Sequence, residues 1–302
     1  MKPTELKSRF EQGENISSLL REAQGRSENT DEIIELTYDL QSGDYVKGMQ
    51  ENPEIAQRKW DYTAELTAII KEFCPTPTSL FKGGTGECVT LVPILKQFNC
   101  AIEHVRGIDM CWSRLAYGQR WLAENGLDHV ELAMGTLSAI PFIDNAFDAV
   151  VTSHSMEPNG GRETEILTEL YRIAGNYLFL AEPGYEIASE AGKARMDRLG
   201  YVKGLEQTAR DLGFEVIDNR PLQTSMNPLN PTSVLVIKKP AALVPQPEYA
   251  CPSSKLKLQR FDTCFYSNEY LCAYPIIEGL PCLRQSAAVI SSKLPDISGK
   301  TS

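Results

Sequence analysis

What is scarce in this sequence narrows its function before any motif is considered. No apolar run approaches the ~18 residues that a membrane-spanning helix needs. The opening stretch MKPTELKSRFEQGEN is polar and lacks the apolar core of a secretory signal, so a cytoplasmic location is expected. Positive charge is in deficit: 30 Lys and Arg against 40 Asp and Glu give a formal charge of −10. Neutralising phosphates takes a cationic surplus, which points away from nucleic acid and towards a small-molecule substrate. Of the eight cysteines none stands in a CxxC pair. Without a secretion signal the expectation is reduced, mostly buried thiols, and no metal site. Histidine is rare, occurring only at His104, His129 and His154, so imidazole acid–base chemistry has few places to sit.

What is present divides the chain into three. Residues 1–75 read as helical: Thr30 suits an N-cap before Asp31 and Glu32, and Asn52 a cap before Pro53. The prolines of CPTPT at 74–78 end that segment. Over 76–240, short apolar runs (SLF, HVRGIDM, VELAMG, FDAVVTSHS, NYLFLAEP, FEVIDNR, SVLVIKKP) alternate with helical stretches such as CVTLVPILKQF and WSRLAYGQRWLAENG. That alternation predicts an α/β fold, a doubly wound and mostly parallel sheet covered by helices. Residues 241–302 combine a proline-rich linker within PAALVPQPEY, a small cysteine-bearing β-rich module and the polar tail SGKTS.

A doubly wound sheet binds ligands outside the carboxyl ends of its strands, where the strand order reverses. SLFKGGTGE is such a strand-to-helix turn, and Gly83, Gly84 and Gly86 permit positive φ and close approach of a ligand to backbone. About 20 residues further on, Asp109 ends the next strand, where an acid can grip ribose hydroxyls. MGTLSAIPFIDNAFDAVV follows the third strand. In that order the three segments resemble class I S-adenosylmethionine (SAM)-dependent methyltransferases, over roughly residues 75–240. The resemblance implies a Rossmann-like fold with SAM as cofactor. It assigns the cofactor to Gly83, Gly84, Gly86, Asp109, Met110, Thr136, Leu137 and Ser153. Three positions depart from the pattern. Leu80 stands at an acidic position, Lys82 at the first glycine, and Thr136 where an aspartate often reaches the adenine. A lysine beside a sulfonium is unfavourable unless it points away or pairs with an acid such as Glu87.

The loop after the fourth strand, TSHSMEPNGGRE, faces the transferred methyl group in such a fold. His154 is the candidate base there, with structural hydrogen bonding as its equal alternative; Glu157 is the second candidate, with helix capping as its alternative. Tyr38, Tyr45, Asn159, Glu182 and Tyr185 are expected at the substrate. No NPPY tetrapeptide follows the fourth strand, which points to an oxygen acceptor on a small molecule or glycan precursor. A catalytically silent, methyltransferase-like binding or scaffold protein is the competing reading. The oligomeric state is left open, a homodimer included.

The segment from Cys251, with YPIIEGLPCL near its end, resembles the small zinc-ribbon-like activator domain of tRNA and release-factor methyltransferases. Ser254, Ser267 and Tyr270 occupy three of its four ligand positions. Zinc is therefore not expected, and Cys264, Cys272 and Cys282 are expected as buried apolar residues. The resemblance implies that the module stabilises the main domain, shapes its substrate mouth or meets another protein.

Overall fold

A computed structural model describes residues 2–26, 28–98, 100–240 and 245–298. Residues 241–244 of the expected linker and 299–302 of the expected tail lie outside these. Five helices come first: α1 (Pro3–Glu11), α2 (Ile16–Gln24), α3 (Asp31–Leu40), α4 (Asp44–Glu51) and α5 (Pro53–Phe73). Thr30 caps α3 by accepting from the Ile33 amide, and Asn52 caps α5 by accepting from Glu54 and Ile55. Leu6, Ile16, Leu20 and Ile33 give the first three helices a small core of their own. No helix among the described residues is long and apolar enough to cross a membrane.

The apolar runs become seven strands: β1 (Ser79–Gly83), β2 (His104–Asp109), β3 (Glu131–Met134), β4 (Phe147–Ser153), β5 (Ala174–Pro183), β6 (Glu215–Pro221) and β7 (Thr232–Lys238). They form one sheet in the order β3-β2-β1-β4-β5-β7-β6. The first five are mutually parallel, while β7 runs antiparallel to both its neighbours. Helices α6 (Leu91–Gln97), α7 (Trp112–Glu124), α8 (Glu163–Ile173), α9 (Glu190–Leu199) and α10 (Leu205–Asp211) complete the layers. Side chains alternate across a strand, so Leu80 joins the core under α5, α6 and α7 while Phe81 joins the one under α8 and α10. The helix expected from Cys88 begins only at Leu91, because Cys88 takes φ +60° inside the preceding turn. Helix α9 had no apolar stripe to announce it, since it buries only Gly192 and Met196.

Lys82 lies on the Leu80 side of β1 and is 1% exposed. Its ammonium does not meet Glu87. It donates to the Gly83 carbonyl oxygen at 2.7 Å and lies 3.4 Å from that of Gly84 and 3.5 Å from Ser155 Oγ. Burial lowers its pKa to about 8, against the pull of Glu182 and Asp109.

The carboxy-terminal module is an antiparallel sheet of β8 (Gln259–Arg260), β9 (Cys264–Ser267), β10 (Cys272–Ile277), β11 (Leu280–Pro281) and β12 (Val289–Ile290), followed by α11 (Leu294–Ile297). It docks on the free edge of β3. Met134 and Cys282 pair in parallel, and the Leu283 amide donates to the Met134 carbonyl at 3.0 Å. Ala133 of β3 packs with Cys251, Leu258, Cys272, Tyr274 and Leu283. The Tyr274 hydroxyl lies 3.4 Å from the Cys251 thiol and donates to Gln285 at 3.0 Å. No cysteine is in a disulfide, and among the described residues no three His, Cys, Asp or Glu gather to hold a metal.

Leu283 is fully buried where the two sheets meet. Leu283→Ala is expected to cost about 2–5 kcal/mol of unfolding free energy, measured by urea denaturation. The buried Lys82 gives a pH signature. Its folded pKa near 8 is below the ordinary lysine value of 10.5, so across that window the unfolded chain binds more protons. Stability should therefore rise from pH 8 towards 10.5 relative to Lys82→Met. Parallel stability–pH curves for the two proteins check this.

Candidate cofactor and acceptor site

The connections from β1 and β4 leave the sheet in opposite directions, which opens a crevice at their carboxyl ends. Helices α2–α5 roof it over a cleft of about 990 Å³, at the upper end of the ~300–1,000 Å³ typical of ligand sites. One wall consists of Gly84, Asp109, Met110, Thr136 and Leu137, and the other of Ser153, His154, Glu157 and Asn159. Tyr38 and Tyr45 border it from the helical side.

The glycine turn is sterically determined. Gly84 has φ +56°, and a Cβ there would fall 2.2 Å from the Ser155 Cβ. Gly83 and Gly86 are not on the cavity wall: Leu137 occupies the space beside the first, and the Arg114 guanidinium covers the second. Asp109 accepts from the Gly86 amide at 2.8 Å and from the Cys111 amide at 3.0 Å. A carboxylate has about four acceptor sites, so capacity towards the cavity is left. Glu87 is fully buried and accepts from the amides of Gly43 and Val46, at 3.0 and 2.8 Å, at the start of α4. Burial raises its pKa, opposed by those two amides and by Arg114. The Arg114 guanidinium lies against the Tyr38 and Tyr45 rings, 5.1 and 4.7 Å from their centroids.

Past β4, His154 takes φ +50°, uncommon for a side chain of its size. Both ring nitrogens are engaged, Nδ1 with Glu157 Oε2 at 2.8 Å and Nε2 with Thr232 Oγ1 at 2.7 Å. Asn230 donates to the same Glu157 oxygen at 3.1 Å. Glu157 does not cap α8, whose N-cap is Arg162. Burial, with Glu157 nearby, pushes the Tyr201 hydroxyl pKa up. On the roof, Lys59 lies 5.2 Å from the centre of the Tyr62 ring, and burial lowers its pKa to about 8. Tyr62 in turn shares a 2.8 Å hydrogen bond with Ser153.

Two expected substrate residues are elsewhere. Glu182 is 1% exposed beneath the cavity floor, where its carboxylate accepts from the Ser155 and Met156 amides at 3.1 and 3.2 Å. Tyr185 faces away, donating to Asp197 at 3.1 Å with Lys203 over its ring. Asn159 does reach the cavity, although its amide is turned to the Ser155 and Met156 carbonyls. Sequence reasoning missed Lys59, Arg114, Arg195, Tyr201, Asn230 and Thr232, and gave Glu87 a different partner. Four buried polar atoms bordering the cavity have no hydrogen-bond partner among the described residues: Thr37 Oγ1, Arg114 Nε, Arg195 Nη1 and Asn230 Oδ1.

Residues 82–175 match the family described as "Methyltransferase domain". A stretch of 70 residues is 34% identical to the demethylmenaquinone methyltransferases of Anoxybacillus flavithermus and Listeria monocytogenes. It covers 23% of this chain and 29% of each relative, so the chain spans less than a third of the length of the curated relatives it matches. Among solved structures, magnesium protoporphyrin IX methyltransferase from Synechocystis PCC 6803, with bound S-adenosylhomocysteine (SAH), is similar over 70% of this chain and all of its own. At 12% identity and a TM-score of 0.55 that likeness is one of fold. The strand order and the likeness to that structure show a class I, Rossmann-like fold, within which residues 82–175 match the methyltransferase-domain family.

Proposed function

We propose that the protein is a SAM-dependent methyltransferase acting on an oxygen of a small molecule or glycan precursor. The observation that carries this reading is one cavity bordered by Gly84, Asp109 and Thr136 on one side and by Glu157 and His154 on the other. The residues present fit the cofactor. Asp109 has spare acceptor capacity for ribose hydroxyls, Met110, Thr136 and Leu137 line the end suited to adenine, and Arg114 Nε, which has no hydrogen bond and lies 4.0 Å from Glu87, suits a carboxylate. SAM, when bound, supplies an electrophilic methyl group. The chain has to align the acceptor, exclude water and receive one proton. The roof of α2–α5 excludes water. Glu157, on the cavity wall, accepts the hydroxyl proton. His154 is a positioning residue, held by Thr232 on one side while its other nitrogen orients Glu157.

The carboxy-terminal module lies against β3 and reaches the roof through Arg284, which pairs with Glu35 of α3 at 2.6 Å and donates to the Met110 carbonyl at 3.2 Å. These contacts support a role in bracing the cavity mouth. One observation favours the competing reading of a silent binding protein: both Asp109 oxygens already hold backbone amides.

Calorimetry with SAH separates the two readings. The enzyme reading expects micromolar binding, weakened about 10–100-fold in Asp109→Asn, as removing a hydrogen bond to a charged group worth ~1.5–3 kcal/mol implies. No detectable heat would leave the silent protein. For chemistry, transfer of labelled methyl groups from SAM into a protein-free metabolite extract is the assay. Glu157→Gln should lower the rate by about 10²–10⁴-fold with SAH affinity held, the range of a lost general base. An unchanged rate in Glu157→Gln would return the residue to structure.

A further inference from the structure

The acceptor half of the cavity holds two cations that form no ion pair among the described residues. Lys59 comes from α5 and Arg195 from α9, so they approach the His154–Glu157 wall from different elements. Among the described residues the Lys59 ammonium has no hydrogen bond or ion pair; it lies over the face of Tyr62, and Glu157 acts on it only at longer range. Arg195 lies 5.6 Å from the centre of the Tyr201 ring, and its buried Nη1 has no partner. A buried donor left unpaired, such as Arg195 Nη1, costs free energy, and a half-buried ammonium such as that of Lys59 gives up part of its hydration, so a ligand that completes either is favoured.

Of the carboxylates bordering the same cavity, Asp44 has no side-chain hydrogen bond or ion pair among the described residues, Glu14 pairs with Arg9, and the others have partners of their own. Glu87 holds the start of α4, Asp109 the amides of Gly86 and Cys111, and Asp31 pairs with Arg162 at 2.5 Å. Glu157 is tied to His154 and Asn230 and forms no ion pair with Lys59 or Arg195. In a chain of formal charge −10, Lys59 and Arg195 are two cations that face one cavity without an ion pair among the described residues.

Resting on the methyltransferase reading, we propose that the acceptor is an anionic hydroxyl compound. Its carboxylate or phosphate is held between Lys59 and Arg195 while its hydroxyl faces Glu157. The planar fork of Arg195 suits two oxygens of such a group, and Lys59 supplies a point charge.

The test uses the full chain saturated with SAH and two matched pairs of probes: 4-hydroxybenzoate against its methyl ester, and 4-hydroxyphenyl phosphate against hydroquinone. Calorimetry should show each anionic member binding at least tenfold more tightly than its neutral partner; which pair shows the larger gap tells carboxylate from phosphate. Arg195→Gln and Lys59→Met should each remove most of that preference with SAH affinity unchanged, and Lys59→Arg should keep it. The proposal is overturned if the neutral members bind as well, if no anionic probe binds at millimolar concentration, or if Lys59→Met weakens SAH itself. The last result would mean that Lys59 holds the cofactor's own carboxylate. Failure of the wild-type chain to bind SAH would instead count against the methyltransferase reading, and the same probes on the unloaded chain would still test the charge preference.

Discussion

The cavity exists because a buried carboxylate at the end of the glycine turn holds the start of a roof helix. Glu87 follows Gly86 directly and accepts from the first amides of α4, groups that helix geometry leaves unpaired and that carry the positive end of the helix dipole. Turn and roof therefore move as one body. Arg114, leaning on Tyr38 and Tyr45 and covering Gly86, adds a second tie between the same parts.

Beneath that space a second layer of polar groups fixes the floor. Lys82 binds the carbonyl oxygen of Gly83 from below; Ser155 donates to the same oxygen at 2.8 Å, and Glu182 holds the Ser155 amide. A lysine can stand here because its side chain leaves β1 on the Leu80 face and finds acceptors in the Gly83 and Gly84 carbonyls and Ser155 Oγ. The strands β1 and β4, whose divergence makes the crevice, are stitched together just under it. Desolvation of the ammonium is offset by a carbonyl contact and by the nearby carboxylates of Glu182 and Asp109.

The fold was legible in the sequence because it rests on local signals: strand runs bounded by turn residues, Thr30 and Asn52 at helix starts, and the spacing from the glycine turn to Asp109. The cofactor wall was partly legible for the same reason, since Gly84, Asp109, Met110, Thr136 and Leu137 all follow strand ends. The acceptor wall was much less so. Lys59, Arg195 and the Asn230–Thr232 pair come from three separate stretches, and only the fold brings them together. Glu182 misled in the opposite sense. It ends its strand as an acid at the crevice should, yet the pleat turns it under the floor to satisfy two amides. Tyr185 lies beyond the strand on a short turn that carries it outward to Asp197. Neither orientation is set by anything adjacent in the sequence.

The docking of Cys282 and Leu283 on β3 also bears on how the chain is made. An open edge strand invites pairing with any other strand, and β3 is the outermost strand of the main sheet on that side. Almost half the chain separates Met134 from its partner at Cys282. The main sheet is complete only with β7, which ends at Lys238, so its edge is covered some 44 residues later, at Cys282. For that interval the nascent protein carries a free strand edge, which makes the arrival of the last module a step in solubility as much as in architecture.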